Sequence, residues 1–167
     1  LRSDIARLCQ PSADEINLVG ELDVELGKLF ADAALAVLQG THISAKQIRA
    51  IGSHGQTVRH HPFRATPFTL QIGDPNTIAF RTSITTVADF RRMDIAAGGQ
   101  GAPLVPAFHD AVLRSGNENR VIVNIGGMAN ITVLARDFPV SGFDTGPGNV
   151  LMDAWILKNL GKAYDAN

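Results

Sequence analysis

The chain has 167 residues, 15 Lys and Arg against 16 Asp and Glu, a formal net charge of −1 and 45% hydrophobic residues, the composition of a soluble globular protein with enough apolar side chains for a core. Charge this nearly balanced gives no electrostatic reason to expect nucleic acid or an anionic membrane as partner, although phosphate can still be bound locally. The single Cys9 excludes an internal disulfide and any cysteine-based zinc site and suits a reducing cytoplasm, and no apolar run approaches the roughly 20 residues that span a bilayer.

Leu1 to Cys9 reads as a short helix ended by Pro11. From Ala13 to Gln39, Ile16, Val19, Leu22, Leu26, Leu29, Phe30, Ala33, Val37 and Leu38 recur at the three- and four-residue spacing of one helical face. Ser12 with Glu15 has the pattern of a capping box, and Gly40 supplies the stop. Ser44 to Arg49 is a second short helix. The pattern then changes to β-rich runs: Ala50 to Ser53, Phe68 to Ile72, Ile84 to Ala88, Val121 to Ile125, Ile131 to Leu134 and Val140 to Phe143. Between them Asp74 to Phe80, Leu104 to Arg114 and Asn149 to Leu160 read as helices, the second after Pro103 and the third after a Pro-Gly pair. The class is α/β, with no repeat and no low-complexity linker. The chain opens on Leu1 without an initiator Met or an export signal, and we expect it to be an unexported piece of a longer protein.

Four segments carry residues suited to chemistry. In Ser53-His54-Gly55-Gln56-Thr57, His54 and Gln56 can hydrogen-bond a polar ligand, although a lone His beside Gly more often serves the fold. His60, His61 and His109 lack a third partner at ligand spacing, so no histidine zinc site is expected. Asp89-Phe90-Arg91-Arg92-Met93-Asp94 and the glycine-rich run through Gln100 to Pro103 gather guanidinium groups before a helix, which suits a sugar carboxylate or phosphate; equally, Asp89 and Arg92 form a structural ion pair in a permissive loop.

Asn124-Ile125-Gly126-Gly127-Met128-Ala129-Asn130 has the form of a hairpin whose glycine tip can adopt positive φ and converge backbone N–H groups on an anion; an ordinary turn is the commoner meaning of such a pair. The densest segment is Gly142-Phe143-Asp144-Thr145-Gly146-Pro147-Gly148-Asn149. There an acid at a strand tip is followed by glycines that let the backbone approach a ligand, in the place where α/β folds bind them. Its plain alternative is a turn aspartate and a helix cap.

Taken in order, SHGQTVRH, LQIGDPN, VADFRRMDIAAGGQGAPLVPAFH, VNIGGMANIT and GFDTGPGNVLMDAW resemble the anhydro-N-acetylmuramic acid kinase family over essentially the whole chain. The resemblance implies the actin/Hsp70/sugar-kinase fold, two ribonuclease-H-like lobes, of which this chain would supply part. Residues 1–118 would be the remainder of the N-terminal, sugar-binding lobe and 119–167 the start of the C-terminal lobe. The family's amino-terminal phosphate loop and its adenosine-binding glycines would lie outside these residues, so the chain by itself is expected to be inactive.

It implies an ATP-dependent reaction in which water opens the 1,6-anhydro bridge of 1,6-anhydro-N-acetylmuramic acid while O6 is phosphorylated, giving N-acetylmuramic acid 6-phosphate for cell-wall recycling. Asp144 matches the family's catalytic aspartate. Gly126, Gly127 and Asn130 match the phosphate hairpin for ATP, with Mg²⁺ held by the phosphates rather than by a direct side-chain ligand. His54, Gln56, Arg91 and Gln100 are candidates for sugar or inter-lobe contacts, and Gly146, Gly148 and Asn149 for lining the substrate crevice beside Asp144. A cytoplasmic homodimer is implied. The alternatives are another sugar or acid kinase of the same superfold, or a non-catalytic module.

Overall fold

The computed structural model describes residues 1–10 and 15–164 and divides into two compact units, Leu1–Gly101 and Ala102–Asn167. The expected helix stop at Pro11 and the Ser12 capping box lie outside the described residues.

The first unit holds α1 (Arg2–Leu8), α2 (Glu15–Leu38), a 3₁₀ turn (Ala45–Gln47), β1 (Ile51–Ser53), β2 (Gln56–His61), β3 (Phe68–Ile72), α3 (Pro75–Thr82), β4 (Thr86–Ala88) and α4 (Phe90–Ala96). Its core joins Leu8, Leu22, Leu26, Val58 and Ile72, with Ile5, Leu18, Val19, Phe30 and Leu70 packed against them. Only the middle of the apolar stripe on α2 is covered: Leu22, Leu26, Gly27 and Ala31 are buried, while Ile16 and Val37 are three-quarters exposed. Gly40, at φ 78°, stands just beyond the helix as the expected stop. The 3₁₀ turn is the shortened form of the helix expected over 44–49, and the Gln47 side chain accepts the Ser44 N–H at 2.8 Å.

β1 pairs in parallel with β4, and β2 pairs antiparallel with β3 through a register irregularity between Thr57 and Arg59. Neither β2 nor α4 was expected from the sequence. Helix α3 starts at a strong cap: the Asp74 carboxylate accepts from the backbone N–H groups of Asn76 (3.0 Å) and Thr77 (2.9 Å), with Pro75 at the first helical position. Asp23 of α2 ties this corner down, its Oδ1 accepting the Gly73 N–H at 2.6 Å and its carbonyl the Asp74 N–H at 3.0 Å.

The second unit holds α5 (Val105–Leu113), β5 (Arg120–Ile125), β6 (Met128–Leu134), β7 (Ser141–Pro147) and α6 (Asn149–Leu160), the strands forming one antiparallel sheet in the order β5-β6-β7. Directly opposed residues share a face. Ile122, Thr132 and Gly142 form one row and Asn124, Asn130 and Asp144 another on the same face. Helix α5 packs on this face: His109 Nδ1 lies 2.9 Å from Thr132 Oγ1, and Thr132 and Leu134 are almost wholly buried. A Cβ on Gly142 would come within 2.6 Å of Pro106 Cγ, so glycine lets this helix seat on the strand. The other face carries Val121, Val123 and Phe143, all more than half exposed.

The mixed α/β class is as expected, with three small sheets among the described residues. Helix α5 groups with the C-terminal sheet in this division, ahead of the 118/119 lobe boundary that the family resemblance implies. No helix among the described residues is long and apolar enough to cross a membrane.

Candidate functional site

The first unit contains a cleft of about 320 Å³ whose polar lining includes His54, Gln71, Asp74, Asn76, Asp89 and Arg92, within the size range of small-molecule sites. Two of these groups are fixed carboxylates. Burial pushes the Asp74 carboxyl up, but hydrogen bonds from the Thr77 hydroxyl and from the Asn76 and Thr77 N–H groups outweigh it and hold the group below its ordinary value. A hydrogen bond from Arg92 does the same for Asp89, against the opposing effect of burial, and the guanidinium is in turn stabilised as the cation. The Asp89–Arg92 pair closes at 2.5 Å between half-exposed or more exposed side chains, so its net contribution to stability is small. Asp89 stands at φ 61°, ψ 48°, the left-handed region that costs a non-glycine residue on the order of 1 kcal/mol and collects at functional sites. The structural ion pair considered from the sequence exists, and it lies in the cleft wall.

His54 lines the cleft and Arg91 holds it. Arg91 Nε donates to His54 Nε2 at 2.7 Å, and Arg91 Nη1 donates to the Gly101 carbonyl at 2.6 Å. Asp94, one turn along α4, accepts the Gly101 N–H at 2.7 Å. Both polar groups of Gly101 are therefore clasped by α4, which folds the glycine-rich run back onto the helix. Gly101 itself requires glycine, at φ 69° and with Ile95 and the Arg91 carbonyl close to any added Cβ. Of the other expected residues, Gln56 is exposed and donates to the Thr57 carbonyl at 3.1 Å, and Gln100 is exposed on the clasped loop; neither lines the cleft. The sequence reads as a strand over Phe68 to Ile72 and a helix over Asp74 to Phe80, with no site role for Gln71, Asp74 or Asn76. The Asp-Pro-Asn order, an Asx cap with Pro at the first helical position, was the available signal.

In the second unit Asp144 is exposed and sits directly opposite Asn130. It is not at a strand tip: β7 continues past it to Pro147, with the register shifting next to Asn130 so that Gly146 pairs Ala129, a local bulge of the sort that re-aims side chains near active sites. Asp144 thus ends a polar row, Asn124–Asn130–Asp144, whose neighbouring row is covered by α5.

Gly126 and Gly127 form the β5–β6 turn as expected, yet neither adopts a left-handed φ. The Gly126 N–H donates to the Met128 carbonyl at 3.3 Å, so one of the two donors expected to face an anion is engaged within the turn. Their carbonyls accept the first peptide N–H groups at the start of α6: Gly148 donates to Gly127 at 2.8 Å and Asn149 to Gly126 at 2.9 Å.

The reasons for glycine differ along this segment. Gly146 needs it for φ 143°, and at Gly148 a Cβ would overlap the Gly126 carbonyl oxygen. At Gly126 an added Cβ would meet only ordinary contact, and at Gly127 nothing within 4 Å. Asn149 Nδ2 donates to Asp153 at 3.0 Å. Gly146, Gly148 and Asn149 thus have structural tasks of their own, whereas internal packing leaves Gly126 and Gly127 unexplained. Among the described residues no three His, Cys, Asp or Glu side chains are grouped to hold a metal ion.

The sequence model of the family described as Anhydro-N-acetylmuramic acid kinase matches residues 1–167. Curated relatives that carry the same name include proteins from Saccharophagus degradans, 59% identical over 99% of this chain and 46% of the relative, and from Shewanella denitrificans, 61% identical over 99% and 45%. A Coxiella burnetii relative is 59% identical over 99% of this chain and 45% of its own length. The chain therefore spans less than half the length of the curated relatives it matches.

Proposed function

Because the chain belongs to the anhydro-N-acetylmuramic acid kinase family, we propose that it works within an ATP-dependent kinase that opens the 1,6-anhydro ring of 1,6-anhydro-N-acetylmuramic acid and phosphorylates O6. The observation that carries this reading is the exposed Asp144, at the end of a polar row on a sheet whose β5–β6 turn has two glycines that neither φ nor packing demands.

A carboxylate in that place is the base. Water gives its proton to Asp144 as its oxygen bonds the anomeric carbon, the bond from that carbon to the bridging O6 breaks, and O6 takes the γ-phosphoryl group, releasing ADP. Asn130 and Asn124, hydrogen-bonding and uncharged, share the row with Asp144 and can orient a water or a sugar hydroxyl beside it. Glycine at 126 and 127 admits a phosphate to within backbone contact, the Gly127 N–H being the donor best suited to it. Mg²⁺ would come in on the ATP oxygens and neutralise charge on the transferred group; Gly126, Gly127 and Asn130 are the residues proposed to meet the triphosphate. In the first unit the 320 Å³ cleft, with carboxylates, amides and a guanidinium in its wall, offers the mixed donors and acceptors that a hydroxylated, carboxylated sugar needs.

The wider reading follows the family: a partial actin-like arrangement with a lobe boundary near 118/119, a homodimer, and a cytoplasmic place in murein recycling. The test is Asp144→Asn in the full-length gene product, assayed by a coupled ADP readout. We expect retained fold and a loss of roughly 10²–10⁴ in kcat, the range for removing a general base. Wild-type turnover by folded variant rejects Asp144 as the base. Phosphorylation of ordinary hexoses in preference to the anhydro sugar shifts the assignment to a different kinase of the superfold.

A further inference from the structure

We propose that Arg91 is a positioning residue rather than a substrate contact: it locks His54 in the cleft wall as the neutral, Nδ1-protonated imidazole, so that His54 shapes the site and transfers no proton. The inference rests on the reading of the cleft as a sugar site, but its structural half stands apart from that reading.

The argument is one of donors and acceptors. A guanidinium only donates, so the 2.7 Å contact from Arg91 Nε requires a lone pair on His54 Nε2. A carbonyl only accepts, so the 2.8 Å contact between His54 Nδ1 and the Gly55 oxygen requires the proton on Nδ1. One tautomer satisfies both contacts and leaves neither nitrogen for a ligand or for proton transfer. Arg91 is itself held, since its Nη1 is bonded to the Gly101 carbonyl at 2.6 Å and Gly101 is bonded to Asp94. The chain of contacts runs from α4 through the clasped loop to the imidazole that lines the cleft, while Arg91 lines none of it.

A second proton on His54 would break the bond to Arg91 and set two cations together. The other charged or titratable groups around it are Arg92, Asp89, Asp74 and Asp23 in the cleft wall and His60, which burial, Arg91 and His61 push towards its neutral form. None of these carboxylates hydrogen-bonds the His54 ring, whose two nitrogens are already engaged.

Histidine ¹⁵N correlation spectra of the full-length protein near neutral pH test the lock directly. The expected pattern is a protonated Nδ1 and an unprotonated Nε2 for His54, and in Arg91→Ala, where the Gly55 carbonyl alone remains to hold the Nδ1 proton, a mixture in which the Nε2-protonated form appears. An Nε2-protonated or cationic His54 in the wild type overturns the proposal, as does an unchanged pattern in the variant when the remaining spectrum shows it folded.

Kinetics of the full-length protein then test the reading of the cleft. His54→Phe, which keeps a planar ring without ring nitrogens, should raise KM for the sugar while kcat falls by far less than the roughly 10²-fold minimum expected for loss of an acid or base, with the pH profile unmoved. Loss of a limb of that profile makes His54 a proton carrier and sinks the assignment. The expected tautomer with an unchanged KM keeps the lock and removes only the sugar-site reading.

Discussion

Replacing Gly148 by alanine tests whether the β5–β6 turn is clamped to the start of α6. The new Cβ would overlap the Gly126 carbonyl oxygen and come within 3.3 Å of the Gly126 carbonyl carbon and of Ile125 Cγ2. Two of these neighbours are backbone atoms that cannot swing aside, so the turn and the helix start must part. Parting weakens the bonds from Gly148 to Gly127 (2.8 Å) and from Asn149 to Gly126 (2.9 Å), each worth about 0.5–1.5 kcal/mol net. Overpacking alone costs about 1–3 kcal/mol. Both amides can be rewatered once freed, which favours the low end of each range, and we expect a local loss of about 2 kcal/mol.

Amide hydrogen exchange at the two positions reads this directly: at about 1.4 kcal/mol per tenfold, exchange should accelerate roughly 30-fold. Gly127→Ala is the control. Its Cβ meets nothing within 4 Å and its φ is not left-handed, so stability should hold or rise by up to about 1 kcal/mol. Exchange at 148 and 149 within about threefold of wild type, where a 2 kcal/mol loss would give far more, refutes the close approach.

Two further outcomes concern the first unit. Gly27→Ala sets helix propensity, a gain of about 1 kcal/mol, against a Cβ placed 2.8 Å from the Asp74 carbonyl oxygen and 3.0 Å from Thr77 Cβ. Overpacking of about 1–3 kcal/mol wins, and the urea midpoint should fall; a rise means that α2 and α3 are not so close. Asp74→Ala removes the α3 cap and should cost about 1 kcal/mol near pH 7. The folded Asp74 carboxyl titrates below its ordinary value, so its stabilisation is fully present above the unfolded pKa and is lost as pH falls through the folded one. The stability gap between wild type and variant, measured by urea titration, should therefore narrow as pH falls through and below the ordinary carboxylate range; a constant gap removes the carboxylate as its source.

Long periodic and strand-length signals in the sequence survived into the structure, and local conformations set by partners far along the chain did not. The apolar stripe from Ile16 to Leu38 became α2, and Asn149 to Leu160 became α6, because helical spacing is a local property. β2 escaped notice because Val58 is its only fully buried residue, leaving no alternation of apolar and polar positions to see. Asp144 was placed at a strand tip because the apolar run ends at Phe143; the strand goes on because Ala129 and Met128 across the sheet still pair with Gly146 and Pro147, which composition cannot reveal. For the site, residue types suited to chemistry were legible at His54, Arg91 and Asp144. Which of them touch was not: the bond between His54 and Arg91 spans 37 residues, and Asp74, legible as the start of a helix, gave no sign that it lines a cleft with residues 20 and more positions away.

The turn at Gly126 and Gly127 is joined to α6 peptide to peptide, with no side chain interposed. Backbone-to-backbone joints have little slack, so the hairpin tip and the helix behave mechanically as one bracket. A helix of 12 residues is about 18 Å long, and a tilt imposed at the turn is carried along that whole lever. The turn and the start of the helix thus share two peptide hydrogen bonds, and neither can shift without stretching the other's backbone contacts.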